Sequence, residues 1–304
     1  MQFIIFYIII NIVTKCKDIA KYYPKNRSIM SFKIARCELH HWEEPVISGI
    51  NGSGTVFFCG CTMKCKFCQN YKISRSYEGV EVTEDQLLSL FLSLEEEGAH
   101  NINLVTPSPY ISKLPSLLER FKKLSNLPVV YNTNAYENYN SLKDLSGLVD
   151  VYLPDLKYYS DTLAMEYSNT PRYFEIASKN IEEMLRQKPN NIILDGLMKE
   201  GVIVRHLVLP THYADSMQIV DYLSTLSARP IVSIMAQYFP TPYVLSHPVL
   251  GKKVTKREYE QVLAYCEYLG VDEGFIQDLE SATIDYVPDF DLSLVKKRLN
   301  MCKK

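Results

Sequence analysis

Along the chain, short apolar runs rich in β-branched and aromatic residues alternate with longer stretches whose apolar positions recur every three or four residues. The first pattern is that of buried strands and the second that of amphipathic helices. Strands are predicted at 55–58, 101–105, 129–131, 149–153, 202–209 and 231–235, with a last short extended piece at 275–277. Helices are predicted at 83–97, 115–124, near 141–147, at 163–187 with an interruption at Pro171, at 216–226 and at 255–269. Two helices open on capping boxes, Thr83 with Gln86 and Thr255 with Glu258, and the first stops at Gly98.

Strands alternating with helices imply crossover connections and a parallel sheet. Six full strand–helix units are too few for a closed eight-unit barrel; they fit a three-quarter barrel or a doubly wound sheet. In either, ligands sit at the carboxyl ends of the strands. The segments to read most closely are therefore 59–70, 106–110, 132–136, 154–157, 210–212 and 237–240.

Composition narrows the class. The chain has 304 residues, 47% of them apolar and 22% charged, which excludes a disordered chain. A net charge of -2 lacks the basic footprint of a general nucleic-acid binder. Residues 3–13 form an apolar run broken only by Asn11, about half the ~20 residues that span a bilayer. A secretion signal would carry its positive charge before such a run, whereas Lys15, Lys17, Lys21, Lys25 and Arg27 follow it. The run reads as a weak membrane-surface anchor, a helix packed on the domain, or an artefact of the start codon. Residues 15–36 read as a linker, with an extension at 1–30 and the main domain at 31–304.

Of eight cysteines, four fall within ten residues: Cys59, Cys61, Cys65 and Cys68. In a large chain such a clump reads as a metal site. The core spacing is Cys61-x3-Cys65-x2-Cys68. Three thiolates on one loop can grip three corners of a cubane iron–sulfur cluster, whereas ferredoxin-type clusters use four. Three ligands leave one iron open, and an open metal position is what catalysis needs. The alternatives are a zinc knuckle, with Cys59 or Cys37 as fourth ligand, and unliganded thiols. A usual zinc site would add a second pair downstream, but Cys266 and Cys302 stand alone.

The motif Cys61-x3-Cys65-x-Phe67-Cys68, with its aromatic residue before the third cysteine, resembles the signature of the radical S-adenosylmethionine superfamily. The words Ser53-Gly-Thr-Val-Phe-Phe58, Cys68-Gln-Asn-Tyr71, Asn101-Ile-Asn-Leu-Val-Thr-Pro107, Val151-Tyr-Leu-Pro-Asp155, Arg205-His-Leu-Val-Leu-Pro210 and Phe275-Ile-Gln-Asp-Leu-Glu-Ser281 are similar to the branch like pyruvate formate-lyase activating enzyme. The resemblance runs from about Ser31 to Phe290. It implies an α/β fold, a partial (β/α)6 TIM-like barrel with a short N-terminal extension. It also implies a [4Fe-4S] cluster on Cys61, Cys65 and Cys68 whose open iron binds the methionine part of S-adenosylmethionine. Reductive cleavage would yield methionine and a 5′-deoxyadenosyl radical that abstracts hydrogen from a substrate. The substrate implied is a glycyl-radical polypeptide, with a small molecule or another peptide as the alternative. The electron would come from a reductant such as flavodoxin or ferredoxin, in the cytoplasm. A zinc-stabilised interaction module without catalysis is the reading from a different class.

The resemblance also assigns roles, each beside a plainer one. Phe67 would pack on adenine, or be a core aromatic; Asn70 lies in the same motif. Thr106 and Pro107 stand where relatives place the group that meets the methionine amino group, often Gly-Glu, or they form a simple strand-ending turn. Asn132 follows the third strand, and Ala135 stands near a position often occupied by Gly. Asp155 and Lys157 look like the Asp-x-Lys pair of the activating enzymes, or a surface ion pair. Arg205, inside an apolar strand, reaches the methionine carboxylate or pairs with an internal acid, since a buried arginine needs a partner. His206 reads as structural. His212 and Gln237 sit at strand ends and are candidates for ligand contact. The stretch His40-His41-Trp42-Glu43-Glu44 reads as mostly structural, with Glu43 or Glu44 a lid contact.

Overall fold

The computed structural model describes residues 31–271, 273–277, 279 and 289–302. The proposed extension at 1–30, with its apolar run at 3–13, lies outside the described residues. Among the described residues, no helix is long and apolar enough to cross a membrane.

Ten strands are named here in chain order: β1 (Ser31–His40), β2 (Ser53–Phe58), β3 (Val80–Thr83), β4 (Ile102–Val105), β5 (Val129–Thr133), β6 (Val151–Pro154), β7 (Ile192–Leu194), β8 (Leu197–Leu207), β9 (Ile231–Met235) and β10 (Gly274–Ile276). The sheet runs β10-β9-β8-β6-β5-β4-β2-β1-β3, with β7 on β8. From β2 to β10 the neighbours along this path are parallel. All six predicted strands and the last extended piece are in this parallel part. Among the described residues the sheet does not close on itself, because β10 and β3 end the path unpaired with each other. The architecture is a partial (β/α)6 barrel.

Three strands, the short helices Pro45–Ser48 and Tyr71–Arg75, and a last helix were not foreseen. β1 and β3 form an antiparallel edge on β2. The basic residues of β1 made its first half look like a linker. Yet Lys33 and Arg36 sit among Phe32, Ile34 and Cys37, which are buried. β7 with the start of β8 forms a hairpin, and the helix Leu292–Met301 follows the last strand. The stretch predicted at 163–187 is two helices, Asp161–Ser168 and Tyr173–Gln187, parted where Asn169 and Arg172 turn to positive φ around Pro171. Both predicted capping boxes form, at Thr83 and Thr255.

Alternation along each strand sorts the side chains. Val56, Phe58, Leu104, Tyr131, Tyr152, Val202 and Val204 face the helices and form the main core. A second apolar cluster holds Val130, Val151, Leu153 and Ile203 together with Ile47 of the short helix Pro45–Ser48. Since these residues alternate with the first set, they lie on the other face of the sheet. The short helix therefore plugs one end of the barrel interior.

Candidate active site

The interior face carries a polar layer that the apolar runs did not advertise. Arg205 of β8 is its hub. Its Nε donates to Asp155 Oδ1 at 2.8 Å, Nη1 to Glu43 Oε2 at 3.0 Å and Nη2 to Asn132 Oδ1 at 2.7 Å. Glu43 Oε1 accepts further bonds from Asn103 and Asn132 at 3.1 and 3.3 Å. Lys157 Nζ donates to the other Asp155 oxygen at 2.8 Å. Burial raises the carboxyl of Asp155, but the charges of Arg205 and Lys157 outweigh it and hold its pKa below the ordinary value. Burial likewise opposes the Lys157 charge, and Asp155 more than restores it. Glu44 lies buried 3.9 Å from Arg205, and desolvation pushes its pKa up. Arg205 is thus paired with internal acids while it also lines a cleft.

Above this layer the loop after β2 brings Cys61, Cys65 and Cys68 to the wall of the same cleft, which has a volume of about 240 Å3. Gly60, at φ 91°, starts the loop in a conformation that a side chain would strain. Lys64 N–H donates to the Ser168 carbonyl at 3.0 Å and Lys66 N–H to the Tyr167 carbonyl at 2.8 Å, docking the loop on the helix Asp161–Ser168. The Arg75 guanidinium clamps the carbonyls of Lys64 and Cys65 at 2.5 and 2.9 Å. As free thiols, Cys61 is pushed up to about 12 by burial and Cys65 is raised for the same reason.

The donor set fits an iron–sulfur cluster. Three thiols share one open wall, and N–H and O–H donors point at two of the sulfurs: Asn134 and the Met63 N–H at Cys61, and Ser168 at Cys65. Such donors suit anionic sulfur. Among the described residues, no three His, Cys, Asp or Glu side chains are grouped to hold a metal ion. Cys59 is buried with its thiol on the Glu78 carbonyl, and Cys37 is buried in the core. Neither lines the cleft.

Most of the residues singled out from the sequence converge here. Phe67, Asn70, Thr106, Asn132, Asp155, Lys157, Arg205 and Gln237 line the cleft with the three cysteines. Phe67 is buried against Tyr238, with ring centroids 5.7 Å apart. Thr106 takes φ 55° at the end of β4, and Ala135 takes φ 61° although it is not glycine. Backbone strain of this kind gathers at functional sites. Two residues do not join. Pro107 is buried at the start of the 3-10 turn Ser108–Lys113. His212 does not line the cleft; its Nε2 lies 2.8 Å from the Tyr167 hydroxyl. His206 is structural, held between the Leu156 carbonyl and the Ser216 hydroxyl.

The sequence reading missed the role of Glu43. Instead of touching a lid, it enters the barrel interior and completes the Arg205 network. Trp42 lines the cleft while remaining 66% exposed, so it stands at the rim. The signal for Glu43 was faint: an acid needed to balance Arg205, with nothing to say which one.

The Radical SAM superfamily family model matches residues 55–216, more than half of the chain. The chain belongs to the radical S-adenosylmethionine superfamily. This settles it as an enzyme rather than a zinc-held interaction module. It is 32% identical over 245 residues to the uncharacterized protein MJ0674 of Methanocaldococcus jannaschii, covering 77% of this chain and 67% of that one. Solved structures share the fold at low identity. SuiB of Streptococcus suis bound to S-adenosylmethionine has a TM-score of 0.54 at 14% identity, covering 73% of this chain and 50% of SuiB. The FeFe-hydrogenase maturase HydG of Carboxydothermus hydrogenoformans has a TM-score of 0.52 at 13% identity, covering 75% and 54%. TYW1 with a lysine-pyruvate adduct has a TM-score of 0.51 at 10% identity, covering 89% and 93%. The chain thus spans about half the length of SuiB and HydG. The superfamily uses a [4Fe-4S] cluster and S-adenosylmethionine, the two cofactors of this enzyme.

Proposed function

We propose that this radical S-adenosylmethionine enzyme abstracts a hydrogen atom from a polypeptide, and that the polypeptide is a glycyl-radical enzyme, as for pyruvate formate-lyase activating enzyme. The observation that carries the polypeptide reading is Trp42, an exposed indole on the wall of the cleft. An indole at the rim offers an extended chain a large apolar contact.

When bound, the cluster and S-adenosylmethionine supply the electron and the carbon radical that removes the hydrogen. The chain's own groups bind and orient. Cys61, Cys65 and Cys68 hold the cluster, and Phe67 packs along the adenine beside Asn70. The Thr106 backbone and hydroxyl, Asn132, Asp155, Lys157 and Gln237 offer polar contacts to the bound cofactor. Arg205 acts as a positioning residue: with three side-chain acceptors engaged, it fixes the Asp155 carboxylate and leaves its other oxygen to Lys157. The Tyr173 hydroxyl, 2.8 Å from the Asp155 carbonyl, accepts from Lys157 N–H at 2.9 Å and steadies that strand end. Electrons come from a flavodoxin- or ferredoxin-type donor.

The test is anaerobic incubation of the iron-loaded enzyme, S-adenosylmethionine and a reductant with a co-encoded glycyl-radical protein. A carbon-centred radical signal on the partner is expected. Formation of 5′-deoxyadenosine that responds only to small molecules, with no radical on any such polypeptide, would overturn the reading.

A further inference from the structure

Two hydrogen bonds reach the cysteine sulfurs from parts of the chain remote in sequence. Asn134, just after β5, points its Nδ2 at Cys61 Sγ at 3.3 Å and at the Thr62 hydroxyl at 3.1 Å. Its orientation is locked, because its Oδ1 accepts the Tyr136 N–H at 2.9 Å. The backbone turn that allows this has Ala135 at φ 61°, with the Ala135 N–H on the Thr133 hydroxyl at 3.1 Å. Ser168 ends the helix Asp161–Ser168 and is fully buried. Its hydroxyl lies 3.0 Å from Cys65 Sγ. The buried Tyr158 hydroxyl lies 2.7 Å from the Ser168 oxygen, so Tyr158 can donate to it and leave the serine hydrogen for sulfur. The Ser168 carbonyl is also the acceptor for Lys64 N–H, so hydroxyl and cysteine loop are held by one residue. Cys68 has only a weaker neighbour, the Ser74 hydroxyl at 3.4 Å, which also faces the Tyr71 carbonyl at that distance.

A donor aimed at a cluster thiolate stabilises negative charge on sulfur and favours the reduced, more negative state. Hydrogen bonds to the sulfurs are among the determinants of cluster potential. Both sites are screened from water, since Asn134 is buried at 7% exposure and Ser168 at 0%, and in a low-dielectric setting such bonds count for more.

We propose that Asn134 and Ser168 set the reduction potential of the cluster through bonds to Cys61 and Cys65, with Tyr158 polarising the serine. Both are positioning residues that touch ligand sulfur rather than substrate. The proposal rests on the assignment of Cys61, Cys65 and Cys68 as the cluster ligands.

The experiment uses the full chain, reconstituted anaerobically with iron and sulfide, and follows the reduced-cluster EPR signal during a potentiometric titration. The iron and sulfide content of the wild type is measured first. A protein that takes up no cluster refutes the ligand assignment itself, and with it this inference. Given a full cluster, Asn134→Leu and Ser168→Ala should each move the midpoint to more negative potential, the double variant by about the sum. Ser168→Thr, which keeps the hydroxyl, should restore the wild-type value. Tyr158→Phe should give a smaller shift of the same sign. Fully loaded variants with an unchanged midpoint would overturn the proposal. Should a variant fail to fold or to load, the wild-type holoenzyme decides: pulsed EPR after exchange into deuterium oxide should show two exchangeable deuterons coupled to the cluster beyond those of backbone amides, and their absence counts against it.

Discussion

The two faces of one sheet were built to different rules. On the face toward the helices, β8 sets Val202, Val204 and His206, and even the histidine has both ring nitrogens hydrogen-bonded. On the interior face the same strand sets Ile203 in the floor, then Arg205 in a layer of acids and amides, then Leu207 at the cleft. The first face is held by area and packing, which tolerate a change of apolar residue. The second is held by matched charges, whose members cannot be removed singly without stranding a buried partner. A functional interior therefore costs stability that the outer face offsets.

Variants that separate chemistry from packing sharpen this contrast. The largest expected effect is on Cys65→Ala, which should reduce cluster iron and 5′-deoxyadenosine formation to background. Iron analysis and chromatography of the product check it; retention of full activity would remove Cys65 from the ligand set. The metal-free variant should melt as the metal-free wild type does, because the loop is tied down by Lys64, Lys66 and Arg75.

Next, Arg205→Leu leaves Asp155 and Glu43 buried without their cation and should lose about 3–5 kcal/mol in urea unfolding at neutral pH. The folded pKa of Asp155 is depressed, so its ionised pairing stabilises the fold fully above the unfolded carboxylate value of about 3.9 and is lost as pH falls through the lower folded value. The deficit of Arg205→Leu should accordingly shrink in acid. A penalty independent of pH would show that packing, not charge, governs the interior.

On the outer face, Leu118→Ala removes a fully buried side chain from the helix Leu114–Lys122. It should cost ~2–5 kcal/mol through cavity formation, with cofactor cleavage per cluster unchanged. Glu43→Gln keeps the shape of the side chain but weakens the bond to Arg205. It should cost about 1–3 kcal/mol, measured in the same unfolding assay. The smallest change in stability, within about 0.5 kcal/mol, is expected for Trp42→Ala at its exposed site. Its effect should appear as a raised KM for the polypeptide with unaltered cofactor cleavage in the polypeptide's absence.

The cluster motif was legible because a loop carries its three ligands within eight residues, a spacing that suits a cluster with one iron left open. The strand ends were legible because alternation with helices forces a parallel sheet, whose carboxyl ends converge. That is why Thr106, Asn132, Asp155 and Gln237 could be singled out and do share the cleft. His212 follows a strand end too but does not line the cleft, since a residue past a strand end can turn either way, and here it bonds Tyr167. β1 was hidden by its basic residues, although Phe32, Ile34 and Cys37 give it a buried side.

What the sequence determined by itself was the class: a parallel α/β chain with three clustered thiols and an arginine in need of a partner. Tertiary structure alone chose that partner. Glu43 lies 162 positions from Arg205 and Asn132 lies 73 from it, while Asn134 and Ser168 reach cysteines 73 and 103 positions away. Spacing along a chain constrains neighbours within a turn or a strand. Contacts across such separations exist only once the sheet has closed far enough to bring its strand ends together.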